Sequence, residues 1–387
     1  MTRVGVIGGG MIVHDQILPS LYQLQRQGRI GAIDICARNQ STLDSLKANE
    51  KISTAFPGHS FLERPGDYRE LLADLPARSI VIIALPDQLH FEVTMASLRR
   101  DQHVICVKPL VLTAAESLEI EKEARSRNLL VAVEYHKRFD DRSLMARQRF
   151  RDGKFGDFRL GHAWLHEKWY YRESNFQNWF TCENSDAFTY IGCHYVDLVH
   201  FITGLKPSSV SVYGIKEAFP NGNVGYLWSD ARVIWENGAC LNVQNALGYP
   251  QNGPGSNAQG LIMYCSGNGQ GAMIRHSDQY RGLEYSQTDG YHEPSPDYFQ
   301  YIDLGGPGQT VVGYGFRSVD QLVSACLSVN SAADPLARVA EIEQAGVIAT
   351  PANSRYNELV VEAGRLSLLN AGREACIDYA TNSVHLR

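Results

Sequence analysis

Val4-Gly5-Val6-Ile7-Gly8-Gly9-Gly10-Met11-Ile12-Val13 is the stretch that decides the fold. A short β-branched run breaks into glycines and then enters a helical pattern through Ile17 and Leu21, so it reads as strand, tight turn and helix. Gly8 permits the turn, and Gly10 lets the backbone approach a pyrophosphate, which would rest on the free N–H groups of the helix start at Met11 and Ile12. Val13 stands where a Gly-x-Gly-x-x-Gly turn has its third glycine, so helix and strand are expected to pack slightly farther apart, and Pro19 marks a kink.

Working outward, similar apolar runs recur at Ala32–Cys36, Ser79–Ala84, His103–Val107 and Leu129–Val133, separated by amphipathic stretches. Near-continuous β-branched runs between helices are what a parallel sheet covered on both faces requires. Residues 1–133 therefore read as a doubly wound α/β, Rossmann-type domain that binds NAD(P). The second run ends Cys36-Ala37-Arg38-Asn39, without the acidic residue that would hold a ribose 2′-hydroxyl. Arg38 suits a 2′-phosphate, which favours NADP; NAD held by Asn39 or by backbone is the alternative.

From residue 134 to 387 the pattern changes to longer alternating segments: Phe158–His166, Ser208–Ile215, Asp230–Ala246 and Leu261–Cys265. Alternation predicts a largely antiparallel sheet with one open face, hence an α+β domain for substrate binding and oligomerisation as a homodimer or homotetramer. A helix is expected after Ser185, a surface loop or lid over Tyr249–Gln259, and a closing helix over Asn353–Ala371.

The 387 residues are 44% hydrophobic with net charge -6, enough for two cores and without a basic block for nucleic acid or an acidic membrane surface. Eight scattered cysteines and an opening that is already a strand suggest reduced thiols, no metal site and a cytoplasmic protein.

The run His103-Val104-Ile105-Cys106-Val107-Lys108-Pro109 puts a lysine and a proline at the carboxyl end of a parallel strand, where doubly wound folds bind ligands. A cis proline there would fix the lysine's direction. With the glycine turn, Pro86-Asp87-Gln88-Leu89-His90, and Gly192-Cys193-His194-Tyr195-Val196-Asp197, the chain resembles the glucose-fructose oxidoreductase, inositol dehydrogenase and MocA family over essentially its full length.

The resemblance implies a Rossmann domain, a C-terminal α+β domain whose open sheet is often the oligomer interface, and a sugar or cyclitol substrate. Leu85, Pro86, His90, Lys108 and Pro109 would border the cofactor, with Lys108 also on the reacting hydroxyl. His194 would be the acid/base, and Tyr190 stands where the family most often has Asp. Val107 replaces the usual Glu before Lys-Pro. At 100° per residue Tyr190, His194 and Asp197 fall on one helix face, Asp197 more structural than catalytic. His136 and Arg138, with Trp164 and His166 from an aromatic and basic cluster that runs on through Lys168, Trp169, Tyr170, Tyr171 and Arg172, are candidates for the substrate wall. Arg275, His276 and Tyr280 lie in a polar segment that could reach the same cleft.

Three activities compete. The first is NAD(P)-dependent alcohol/ketone interconversion on a sugar, glycoside or cyclitol. The second is redox-neutral glycoside cleavage through transient oxidation by a tightly held cofactor, which the Tyr190 departure favours. The third is a non-catalytic NAD(P)-dependent sensor, against which the retained Lys108 and His194 argue.

Overall fold

The computed structural model of the chain describes all residues except 278–282, 284, 289 and 293–295. The chain divides into two compact units, 1–111 with 116–139 and 296–353, and 112–115 with 140–295 and 354–387.

In the first unit six parallel strands, β1 (Val4–Ile7), β2 (Ile33–Ala37), β3 (Leu62–Pro65), β4 (Ile80–Ile83), β5 (His103–Val107) and β6 (Val131–Glu134), pair in the order β3-β2-β1-β4-β5-β6. The apolar runs are buried almost throughout, as a sheet covered on both faces requires. The edge strand β3 is the one that the apolar-run pattern misses, because Leu62-Glu63-Arg64-Pro65 is polar and half exposed. Residues 296–353, which a linear boundary at 133/134 assigns to the second domain, return to this unit. The helix Tyr314–Ser331 buries Val319, Leu322, Val323 and Val329 in the same core as Val4 and Ile35, and Arg29 pairs with Asp320.

In the second unit, β7 (Phe158–Lys168), β8 (Pro207–Ala218), β9 (Val224–Trp235), β10 (Cys240–Tyr249), β11 (Asn257–Cys265) and β12 (Ala272–His276) join two short strands, Ala375–Asp378 and Ser383–Leu386, in one eight-stranded sheet. All its pairs are antiparallel except β7 with β10. The expected single segment Asp230–Ala246 is a hairpin, β9 and β10, because Asn237-Gly238 turns the chain with Gly238 at φ +80°. One face of the sheet carries the buried Ala163, Leu165, Val212, Val233 and Val243, whereas Leu160, Tyr213, Ile215, Tyr264 and Met273 are exposed. The closing helix spans Pro351–Leu369 and buries Leu359, Val360 and Ala363, as its spacing predicts.

His103, fully buried at the start of β5, accepts a hydrogen bond at Nδ1 from the Leu130 N–H (3.0 Å), and its Nε2 faces Asn330 Oδ1 at 2.8 Å. Only the neutral ring with its hydrogen on Nε2 satisfies both contacts. Burial holds this imidazole down to about 4, so below its ordinary 6.5 the unfolded chain binds a proton that the folded chain refuses. The unfolding free energy is expected to fall as pH drops from about 6.5 toward 4, this group contributing up to about 1.4 kcal/mol per pH unit. Urea midpoints across that window, compared with those of His103→Gln, check it; equal slopes for the two proteins would remove His103 as the cause.

Candidate functional site

In the first unit the site is built on the ends of β1, β2, β4 and β5. Gly8 has φ +118°, and a Cβ there would stand 2.1 Å from the Ala84 carbonyl oxygen, so only glycine allows β1 to turn beside the end of β4. Gly10 is the opposite case: no heavy atom lies within 4 Å of where its Cβ would be. Its carbonyl accepts from the Val13 and His14 N–H groups, which starts the helix. Open space over Gly10 at a helix start fits a dinucleotide pyrophosphate, with Gly8, Gly10, Met11 and Ile12 to hold it. The buried Val13 begins a π turn, Val13–Ile17, that runs without a break into the helix Leu18–Arg26, and Pro19, which has no N–H to give the ladder, stands just after that turn.

Arg38 and Asn39 are exposed just past β2, and no carboxylate stands among the residues that end this strand. The acid within the strand, Asp34, is buried and bound to Arg3 and Arg64. Lys108 follows β5 directly, nearly buried, and its peptide bond to Pro109 is cis. His90 is fully buried, with Nδ1 2.8 Å from the Pro109 carbonyl oxygen and Nε2 2.9 Å from that of Leu85. Its ring therefore joins the backbone just past β4 to the backbone just past β5, and neither nitrogen is left for a cofactor.

Beyond β6 the sequence pattern missed a hub. The buried Glu134 carboxylate accepts from Gln16 Nε2 (2.8 Å) and Ser318 Oγ (2.6 Å), and its other oxygen lies 3.2 Å from His136 Nδ1. Gln16 also accepts from the Tyr298 hydroxyl, and His136 stacks on Tyr314. The available signal was one carboxylate closing the apolar run Val131-Ala132-Val133. Arg138, a substrate candidate, is buried and donates to the Val347 carbonyl (3.3 Å).

In the second unit the motif helix opens with a π turn, Phe188–Gly192, before the α-helix Cys193–Thr203. A π turn advances less per residue than an α-helix, so the 100° step that sets Tyr190, His194 and Asp197 on one face does not hold across it. Tyr190 packs edge-on against Phe176, Trp179 and Phe180, with ring centroids 5.1–5.9 Å away. Asp197 accepts from Tyr356 Oη and Asn357 Nδ2, both at 2.8 Å, which is a structural role. His194 lies buried in the first α-helical turn. Gly192 leaves room for Phe188 and Asn245, whose Oδ1 would be 2.7 Å from a Cβ at that position.

Asp186 receives the Thr189 N–H and hydroxyl, both at 2.8 Å, and faces Arg365. The acid of this helix start thus caps it, one turn before Tyr190. Trp164 and His166 stand out of register with the buried Leu165 and Asn245; Trp164 lies over Gly260 and stacks on His162. The structure therefore sets them on the sheet face opposite Gly192. Lys168 and Arg172 are taken up by backbone, Lys168 donating to Gln251 (3.0 Å) and Gly253, and Arg172 donating to Leu247 and pairing with Glu217. His276 is buried between Ser143 and Asp140, Arg275 is exposed, and Tyr280 lies outside the described residues.

Comparison with known proteins fits these elements. The model described as "Oxidoreductase family, NAD-binding Rossmann fold" matches residues 2–135, and that of the "GFO/IDH/MocA C-terminal domain" matches residues 143–250. Inositol 2-dehydrogenase of Rhodococcus jostii is 30% identical over 162 residues, 42% of this chain and 41% of that protein. The scyllo-inositol 2-dehydrogenase (NADP(+)) IolW of Bacillus subtilis is 25% identical over 158 residues, 40% of this chain and 39% of that protein. The matched stretch thus spans about two fifths of the length of these two relatives. The crystal structure of myo-inositol 2-dehydrogenase from Lactobacillus plantarum shares the fold, with a TM-score of 0.70 at 16% identity over 97% of this chain and 99% of that one.

Gly8→Ala is expected to abolish dinucleotide binding, because the added methyl meets the Ala84 carbonyl in a backbone conformation that alanine avoids. Gly10→Ala, added into open space, should keep the fold and weaken only binding. Calorimetric titration of both variants with NAD and NADP, beside thermal melts, checks the contrast.

Proposed function

Since the chain belongs to the glucose-fructose oxidoreductase, inositol dehydrogenase and MocA family, we propose that it is an NAD(P)-dependent dehydrogenase of cyclitols, sugars or glycosides acting on a CH–OH group. The observation that carries this reading is the glycine turn open over Gly10 in the same sheet that ends β5 in Lys108. The names of the matched relatives, inositol and scyllo-inositol dehydrogenases, favour a cyclitol.

When bound, the nicotinamide supplies the hydride acceptor or donor. Lys108 donates hydrogen bonds to the reacting hydroxyl oxygen, which stabilises the alkoxide character that develops as its proton leaves. His194 takes that proton, an imidazole being the side chain suited to exchange it near neutral pH. Tyr190 gives a hydroxyl for substrate contact and no base, since a phenol keeps its proton at pH 7. The absence of an acid at the end of β2 and the exposed Arg38 favour NADP. Exposed Leu160, Tyr213, Ile215, Tyr264 and Met273 on one sheet face support a homo-oligomer formed through that face, and the scattered cysteines suit the cytoplasm.

The test is reduction of NAD or NADP by the purified protein on a panel of inositols, aldoses and glycosides. Lys108→Ala and His194→Gln should each lower kcat roughly 10²–10⁴-fold, with cofactor affinity held in His194→Gln. Arg38→Ala should weaken NADP roughly tenfold or more and NAD little. No nicotinamide reduction with any polyol would defeat the reading.

A further inference from the structure

Two buried histidines flank β5, and their surroundings demand opposite protonation states. His103 meets one N–H donor and so must keep one nitrogen bare. Both ring nitrogens of His90 face backbone carbonyl oxygens, which only accept, with the Cys106 thiol as its side-chain partner. A neutral ring carries one hydrogen and would set a nitrogen lone pair against a carbonyl lone pair at hydrogen-bond distance, in a site closed to water. Only the imidazolium satisfies both contacts.

We propose that His90 is held as an imidazolium whose two N–H bonds clamp the Leu85 segment to the Pro109 segment, and that it is thereby the positioning residue for Lys108. The two carbonyls lie just past the ends of adjacent parallel strands, β4 and β5, where the ladder stops and backbone acceptors lose their partners. Ligands of doubly wound folds bind outside those strand ends, so a cross-link there sets the width of the crevice floor. Pro109 is the neighbour of Lys108, and fixing the Pro109 carbonyl fixes the base of the lysine side chain.

The titratable groups that act on His90 are Cys106, on β5, and Asp87, at the start of the short turn Asp87–Leu89 that leads into His90. Burial opposes the cation; the Cys106 sulfur, Asp87 and the Leu85 carbonyl favour it, and the balance lifts the imidazole to about 10. The charge state stands on this geometry alone, whereas the link to catalysis rests on the dehydrogenase reading of Lys108.

The experiment uses the full chain labelled with ¹⁵N-histidine. Both His90 nitrogens should carry directly bonded hydrogens and keep their shifts from about pH 6 to about pH 9, while His103 shows one protonated and one bare nitrogen. A bare His90 nitrogen near pH 7 overturns the proposal. His90→Gln, whose donors sit on a single atom and reach one carbonyl, identifies the signal; should that variant not fold, nuclear Overhauser contacts from the ring to Leu85 and Pro109 identify it instead. In the folded variant kcat should fall roughly tenfold to a hundredfold, with affinity for ADP-ribose within about twofold of the parent. Equal losses of kcat and ADP-ribose affinity would overturn the positioning role. Failure of the dehydrogenase reading would appear separately, as absent turnover in a parent protein whose His90 is still doubly protonated.

Discussion

The contact between the Gly8 α-carbon and the Ala84 carbonyl is the constraint on which the first unit depends. It brings the turn after β1 against the exit of β4, at the centre of the β3-β2-β1-β4-β5-β6 order, and so sets where the helix after the glycines begins. Once that helix start is fixed beside β4, the open space over Gly10 lies at the carboxyl ends of strands that lead into Arg38, Leu85 and Lys108. A side chain at position 8 would remove the contact and, with it, the reason for these residues to converge.

Buried polar groups hold the geometry around this turn. Glu134 closes β6 with a carboxylate shared among Gln16, Ser318 and His136, so the helix after the glycines, the end of β6 and the helix Tyr314–Ser331 meet at one charged group. Every partner donates or can donate, which is what a carboxylate needs in order to remain buried. The second unit repeats the device at Asp197, which joins the motif helix to Tyr356 and Asn357 of the closing helix. In both units a buried acid links elements far apart in sequence.

Both motif helices, Val13–Ile17 and Phe188–Gly192, also pass through a π turn. An inserted residue shifts every later side chain around the helix, and such turns persist where surrounding packing supports them. At the second site Tyr190 lies among aromatic rings, and Asp197 binds Tyr356 and Asn357 of the closing helix.

The sequence by itself determined the two-unit plan, the parallel sheet, the open antiparallel sheet and the location of the glycine turn, Lys108 and the His194 helix. Each of these follows from local chemistry: β-branched runs, glycine's freedom at positive φ, and alternation of polar with apolar residues. Only the tertiary structure decided that residues 296–353 return to the first unit, that Trp164 and His166 stand on the face opposite Gly192, and that Lys168 and Arg172 bind backbone. It also decided that His90 and His103 see opposite partners. These outcomes turn on what a side chain meets across space, and for a buried histidine the identity of that partner, donor or acceptor, is written nowhere in its own neighbourhood of the chain.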